Sequence, residues 1–405
     1  MQSLRKEIKM NKKIVVYQVL TRLFGNTNTT NKPWGTKEEN GVGKFSDFTE
    51  KALLEIKKLG ATHIWFTGVL HHALTTDYTA YGISNDFPAV VKGRAGSPYA
   101  IKDYYSVNPD LADDPTHRLE EWEALIARTH QCGLKVIMDI VPNHVARRYE
   151  SIAKPKGIHG FGEDDDTSVQ YAVNNNFYYN PNEAFQLPEG IYGEYHEFPA
   201  KWTGNGARAS KPDRNDWYET VKLNYGVRPD GTKDFATLPI GFENEDSEAH
   251  YRFWQDQIVP NTWQKFKEIA LYWLAKGVDG FRYDMAEMVP VEFWSYLNST
   301  IKHQNPEAFL LAEVYNPNEY RPYLHLGKMD YLYDKVQLYD TLRAIVSYGH
   351  TTDAIASIQR ELAAISDRML PFLENHDEQR IASPEFADYA EKAKPAMPVS
   401  TLISE

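Results

Sequence analysis

Hydrophobic residues recur at helical spacing in three stretches of the chain, and each stretch ends at a glycine that precedes a short apolar run. The stretches cover residues 46–59, 114–132 and 262–276, and the glycines are Gly60, Gly133 and Gly277. A glycine just past a helix readily adopts the left-handed conformation that ends it, and a short apolar run is typical of a buried strand. Repeated helix–strand units of this kind predict a parallel sheet with helices packed outside it.

The spacing between candidate strand ends predicts a barrel rather than a simple doubly wound sheet. Glu313 lies 29 residues after Asp284, which is the length of one strand–helix unit. Asp377 lies 64 residues after Glu313, or about two units, and a strand is predicted between them over residues 329–333. Asp139 and Asp284 are 145 residues apart, so an insertion separates the third and fourth strands.

The insertion falls in residues 146–247, which are rich in Asn, Gly, Pro, Asp and Tyr and carry few helical patterns. We therefore predict an α/β protein, a (β/α)8 TIM-type barrel truncated before the eighth strand, with an irregular subdomain inserted after the third strand. The predicted divisions are a first barrel part (1–145), the inserted subdomain (146–247) and a second barrel part (248–405). A long loop is predicted over 67–109, and a last helix near 386–403.

Composition narrows the partners of this chain. Its 405 residues carry a formal net charge of −12, which disfavours nucleic acid or an anionic membrane as the main partner. The single cysteine, Cys132, allows no intrachain disulfide. The apolar stretch 14–20 lacks a signal-peptide cleavage site and is predicted to be the first strand, so we expect a cytoplasmic protein. Oligomeric state stays open.

Four short segments each follow or end an apolar run and close on a carboxylate or a histidine: residues 139–144, 280–284, 311–313 and 374–377. The carboxyl ends of parallel barrel strands meet on one face, where catalytic residues collect. Arg282 and Asp284 are two positions apart on one strand, so their side chains share a face, and the guanidinium should keep the pKa of Asp284 low. Because like charges repel, crowding of carboxylates at this rim should raise the pKa of one of them, and a raised pKa suits a general acid. Together the segments predict an enzyme that uses three carboxylates on a sugar.

In this order the four segments resemble those of the α-amylase superfamily of retaining glycoside hydrolases, which act on α-glucosidic bonds. The resemblance runs from Ile14 to about His376. It implies that Asp284 is the nucleophile, Glu313 the general acid/base and Asp377 the residue that stabilises the distorted sugar in the transition state.

The same resemblance implies a set of substrate-binding residues: Tyr99, Asp139, His144, Arg282 and His376. Tyr99, in the segment 97–104, would be the stacking platform under the sugar at the cleavage point. His144 and His376 would bind hydroxyls of that sugar. Arg282 would orient the nucleophile, and Asp139 would support Arg282.

The chain also departs from the family pattern. Glu287 and Met288 stand where many members have Lys-His, which leaves acceptor binding open. Asn143 occupies the family's calcium-ligand position, and the Met288 carbonyl could serve as a second ligand. Further oxygen ligands would come from 163–166 and 174–176, which suit calcium or are simply a solvated acidic face. The segment 220–226 resembles the one that shapes specificity but differs from its commonest form.

The leading function is hydrolysis of α-glucosidic bonds in starch, glycogen or maltodextrins by double displacement. A transglycosylase or a trehalose-forming isomerase of the same superfamily would use the same three carboxylates. An inactive fragment or a non-catalytic glucan-binding relative is the alternative outside catalysis. We expect the family's C-terminal β-sandwich to be absent.

Overall fold

Seven parallel strands form the central sheet of the computed structural model, which describes residues 13–402. The strands are β1 (Val16–Leu20), β2 (His63–Thr67), β3 (Lys135–Ile140), β4 (Gly280–Tyr283), β5 (Phe309–Ala312), β6 (Tyr331–Tyr333) and β7 (Met369–Leu370). They lie in the sheet in the order of the sequence, each bonded to the next. This is the arrangement of a TIM-type barrel sheet, and the predicted fold class is confirmed. Within residues 13–402, β1 and β7 are the edges of the sheet and do not pair with each other.

The helices follow the predicted helix–glycine–strand pattern. Glu50–Lys58 begins at Thr49, whose side chain accepts a hydrogen bond from Ala52 N, and Gly60 follows with φ +92°. The predicted second and third helices are Arg118–Gln131 and Asn261–Ala275, which Gly133 and Gly277 follow in the same left-handed region. The remaining α-helices are Lys37–Asn40, Ser247–Gln255, Val291–Gln304, Tyr320–His325, Asp340–Tyr348, Asp353–Leu362, Ala390–Ala393 and Ala396–Leu402. Among these described helices, none is both long and apolar enough to cross a bilayer.

The prediction of a single helix near 386–403 is wrong for residues 386–389, which are not helical. Ala387 N bonds Ile381 O, and Asp388 N bonds Ser383 O with φ +71° at Asp388, so the chain turns there instead of entering a helix. Phe386 is thereby buried against the ring of Tyr339. Helix begins only afterwards, in two short pieces.

Two long connections carry small antiparallel pairs. Leu70–His72 pairs with Ile101–Val107, so the predicted loop over 67–109 contains a two-stranded sheet. In the inserted segment, His144–Ala146 pairs with Thr220–Lys222 and Tyr179–Asn180 pairs with Ala200–Lys201. The division of the chain into three parts stays a prediction.

The inside of the barrel sheet is filled by one layer of side chains. Its buried members are Trp65, Ile137, Phe309, Leu311 and Tyr333. The larger core lies on the other face, between the strands and the surrounding helices. Because Arg282 is fully buried on β4 between these aromatic groups, its charge must be neutralised by neighbours at the end of the strand.

Candidate active site

Strand register places the predicted residues side by side. Arg282 on β4 is the direct partner of Asp139 on β3. Tyr283 pairs with Ala312 on β5, so the next residues, Asp284 and Glu313, leave the sheet together. The carboxyl groups of Asp139, Asp284 and Glu313 and the guanidinium of Arg282 therefore meet at the carboxyl end of adjacent strands.

The Arg282 guanidinium binds all three carboxylates. Nη1 donates to Asp284 Oδ1 at 2.8 Å and lies 3.3 Å from Asp139 Oδ1. Nη2 donates to Glu313 Oε2 at 2.8 Å. A buried cation with three carboxyl partners fixes both proposed catalytic carboxyl groups from one side.

Three aromatic rings enclose the same guanidinium. The centroids of Trp65, Tyr99 and Tyr333 lie 5.0, 5.5 and 5.6 Å from its central carbon. Tyr333 Oη accepts from Arg282 Nε at 3.1 Å, and Trp65 Nε1 donates to Asp139 Oδ2 at 2.9 Å. The sequence analysis missed Trp65 and Tyr333, although both lie on predicted strands and point to the side that Arg282 occupies.

Glu313 is held by the backbone as well. Met285 N donates to Glu313 Oε2 at 2.8 Å. Met285 adopts φ +45°, a left-handed conformation that is costly for a residue with a side chain and is a recurrent feature of functional sites. Glu287 accepts from Tyr315 N at 3.1 Å and from Asn316 N at 2.9 Å, so it braces the segment that follows Glu313.

Electrostatics reverses one expectation. Burial raises the pKa of Asp284 to about 8, and this outweighs the opposing effect of Arg282. Burial also raises the pKa of Asp139 to about 6. For Glu313, burial is outweighed by Arg282 and by the Met285 amide, and its pKa lies below the ordinary value. The expectation that the guanidinium keeps the pKa of Asp284 low is therefore wrong, because burial outweighs the guanidinium and raises that pKa.

Asp377 lies at the open side of the site. Its side chain is 45 % exposed, whereas that of Glu313 is 10 % exposed. Asn375 Oδ1 accepts from Asp377 N at 2.9 Å and fixes the turn that carries it. Burial raises the pKa of Asp377. The charge of Arg282 lowers it and the charge of Glu313 raises it, and the net shift is upward. The structure thus brings Asp377, the third predicted catalytic residue, to the same rim as Asp284 and Glu313.

Tyr99 and His376 form one unit. The Tyr99 hydroxyl and His376 Nε2 are hydrogen-bonded, and the two rings stack with centroids 5.6 Å apart. His376 Nε2 also lies 3.2 Å from Asp377 Oδ2. Burial, aided by Arg282, lowers the pKa of His376 to about 4, so the imidazole is neutral near pH 7. The neutral ring can donate or accept a hydrogen bond with a sugar hydroxyl.

His144 bonds the backbone of Tyr99 and lies next to Lys222, a residue that the sequence analysis did not single out. Its ring meets Trp217 edge-on at 5.4 Å. Burial, and then Lys222, lower the pKa of His144 to about 3. Lys222 Nζ donates to Asn143 Oδ1, while Asn143 Nδ2 donates to Gly204 O at 2.9 Å.

The predicted calcium ligands do not form a metal cage. The two oxygens expected from Asn143 and Met288 both face Lys222 Nζ. In the other candidate set, Asp165 accepts hydrogen bonds from Asn176 N, Phe177 N and the Tyr179 hydroxyl. No cluster of three or more His, Cys, Asp or Glu side chains suited to a metal occurs in the part of the chain that the structure describes.

Carboxylates at the carboxyl ends of parallel barrel strands are the arrangement of a TIM-barrel enzyme. The sequence profile of the alpha-amylase catalytic domain matches residues 18–226 and 252–404. The chain belongs to this family, and the resemblance seen in its four segments is confirmed.

The relatives are distant. Alpha-amylase 3 of Dictyoglomus thermophilum is 22% identical over 323 residues, covering 76% of this chain and 45% of that protein. The alpha-1,4-glucan:maltose-1-phosphate maltosyltransferase of Chlorobaculum tepidum is 34% identical over 113 residues, which is 26% of this chain and 15% of that protein. The chain thus spans less than half the length of either.

Solved structures show the same fold. The ligand-free cyclic alpha-maltosyl-(1→6)-maltose hydrolase of Arthrobacter globiformis matches with a TM-score of 0.59 and 18% identity. The match covers 95% of this chain and 70% of that chain. At this identity the likeness supports the fold of the described chain and nothing finer.

Proposed function

We propose that this chain cleaves α-glucosidic bonds in starch, glycogen or maltodextrins with retention of configuration. One observation carries the proposal: a single buried guanidinium binds the two carboxyl groups that double displacement requires, at 2.8 Å each. A shared anchor of this kind keeps a nucleophile and an acid/base close together, as retaining glycosidases need.

The first step uses Asp284 and Glu313 together. An Asp284 oxygen attacks the anomeric carbon, and the bond to the leaving oxygen breaks as Glu313 donates its proton to that oxygen. In the second step Glu313 takes a proton from water, and the hydroxide attacks the anomeric carbon and releases Asp284. Asp377, exposed at the rim, is placed to hold hydroxyls of the distorted sugar.

The reacting state carries one proton on the Asp284–Glu313 pair. Burial raises the pKa of Asp284, whereas Arg282 and the Met285 amide lower that of Glu313. A proton shared by the two groups can pass from one to the other without a change of net charge, so the reactive form of the pair needs no proton uptake from solvent. The two carboxyl groups titrate as a pair for this reason.

The experiment compares the 405-residue chain with two variants on starch and maltooligosaccharides by release of reducing ends. Asp284→Asn should lower the rate at least about 10³-fold because the nucleophile is lost. Asp256→Asn changes an exposed carboxyl group just past the helix Ser247–Gln255 and should leave the rate unchanged. Equal rates for the native chain and Asp284→Asn would reject the proposal.

Transfer to an acceptor sugar is the second candidate function. It is supported by the relative of highest identity named above, whose name describes a maltosyltransferase, and by Glu287, which stands in place of the family's usual lysine. The Glu287 carboxylate faces the backbone of Tyr315 and Asn316. Product analysis on maltooligosaccharides separates the two reactions, since longer sugars or trehalose instead of shorter sugars would favour transfer or isomerisation.

A further inference from the structure

A lysine ammonium joins the barrel to the inserted segment. Lys222 ends the short strand Thr220–Lys222 and pairs with His144, so its side chain starts beside the Asn143–His144 turn. Lys222 Nζ donates to Asn143 Oδ1 and lies 3.4 Å from Met288 O. One ammonium therefore bridges the turn after β3, the turn after β4 and the inserted segment.

These two oxygens are the ones that the family resemblance assigns to calcium. A divalent cation cannot share them with an ammonium at hydrogen-bond distance, because the two charges repel each other strongly. Lys222 has no ion-pair partner among residues 13–402, so the cage that it occupies is built of neutral oxygens. Calcium sites in proteins ordinarily include carboxylates, and this one does not.

A second lysine engages the other candidate ligands. Lys265 Nζ donates to Gly160 O at 2.6 Å and to Asn176 Oδ1 at 2.8 Å, and Asp164 Oδ2 lies 3.9 Å away. Lys265 is 5 % exposed and lies on the barrel helix Asn261–Ala275. The acidic run and the asparagine run of the inserted segment are thus tied to the barrel through this ammonium.

We propose that Lys222 supplies the cation at the junction of the barrel and the inserted segment, and that this chain holds its Asn143–His144 turn without calcium. Lys265 likewise supplies the cation for the oxygens of Gly160, Asn176 and Asp164. A tethered ammonium needs no free ion, so the substrate-binding histidine is positioned at any calcium concentration. The inference does not depend on which reaction the site performs.

The test measures calcium binding and thermal unfolding of the 405-residue chain. Equilibrium dialysis with radioactive calcium at about 1 mM free ion, above the dissociation constants of most protein sites, should find well below one ion per chain. The unfolding midpoint should agree within about 1 °C in EDTA and in calcium chloride.

Two lysine variants assign the effect to Lys222. Lys222→Met keeps the length of the side chain and removes its charge, so the midpoint should fall by about 2–6 °C. Lys211→Met changes an exposed lysine of the same segment and should shift the midpoint by less than about 1 °C.

One calcium ion per native chain together with an EDTA-sensitive midpoint would overturn the proposal. An unchanged midpoint in Lys222→Met would also overturn it. If Lys222→Met does not fold, the dialysis of the native chain decides alone.

Discussion

Arg282 donates to four groups with one guanidinium, and its removal would leave the buried carboxyl groups without their cation. It donates to Asp139, Asp284, Glu313 and the Tyr333 hydroxyl. Breaking a buried ion network costs more than a surface pair because each remaining charge stays desolvated. The site is therefore tightly bonded at Asp284 and more open at Asp377.

Tyr333→Phe tests the contribution of the least obvious partner. The ring would stay, but Arg282 Nε would lose its acceptor, so the free energy of unfolding should fall by about 1–3 kcal/mol and kcat/KM should decrease. Tyr320→Phe is the matched control, since the buried Tyr320 hydroxyl has no hydrogen-bond partner in the described chain. Urea unfolding of both variants checks the prediction, and equal losses in the two would contradict it.

The pH profile of kcat/KM tests the shared proton. The reacting state needs one proton on the carboxyl pair, and the raised pKa of Asp284 sets the pH at which that proton is lost. We expect kcat/KM to fall as pH rises through about 8 and to fall again at acid pH, below the ordinary range of Glu313. Initial rates on a maltooligosaccharide from pH 4 to 10 measure this, and an alkaline limb near pH 6 would disagree with the account.

The sequence could bring Arg282, Asp284 and Glu313 together because two rules suffice: residues two apart on a strand share a face, and parallel strands end on one rim. The sequence could not predict the hydrogen bond from Lys222 to Asn143, because that contact joins residues 79 positions apart through an irregular segment. It also could not predict the pKa of Asp284, since burial and the guanidinium act in opposite directions and only the structure sets their balance.

At the scale of elements, the close pairing of β4 and β5 depends on Gly280. A methyl group there would lie 2.0 Å from Phe309 O, so Gly280→Ala must push the two strands apart. We expect a loss of more than about 3 kcal/mol of folding free energy. Gly60→Ala is the control, because no atom lies near the added methyl group. Only the strain that alanine meets at φ +92° should lower the folding free energy, by about 1–2 kcal/mol. Chemical denaturation that ranks Gly60→Ala as the worse variant would contradict this packing.

Elements with strong local signals were predictable, and those that depend on distant contacts were not. The three amphipathic helices that are followed by a glycine lie where the spacing of their hydrophobic residues predicted them. The turn at 386–388 was missed because burial of Phe386 against Tyr339 overrides its helical pattern. The pair Leu70–His72 and Ile101–Val107 was missed because its strands are separated by a long irregular connection.

For the whole molecule, buried histidines predict a loss of stability in acid. Burial lowers the pKa values of His63, His250 and His376 to about 4 and that of His144 to about 3. A depressed histidine pKa gives stability that is complete above the unfolded value of 6.5 and is lost as pH falls through the folded value, at about 1.4 kcal/mol per pKa unit. Buried carboxyl groups with raised pKa values act in the opposite direction, chiefly Asp284 at about 8 and Asp139 and Asp334 at about 6.

Urea unfolding at pH 7 and pH 5 checks this sum. We expect a lower midpoint at pH 5, with part of the difference removed in His250→Asn. His250 is fully buried, and its ring bonds Ser295 Oγ at 2.7 Å and Phe242 O at 2.8 Å. A higher midpoint at pH 5 than at pH 7 would show that carboxyl groups dominate instead.

In the proposed mechanism Asp284 forms a covalent bond to the sugar, and that bond can be trapped. A fluorinated α-glucosyl donor slows both steps, and Glu313→Gln slows release of the sugar further. Mass spectrometry of digested protein should then find one glycosyl group on the peptide that contains Asp284. A glycosyl group on another carboxylate, or no adduct alongside a product of inverted configuration, would contradict the account.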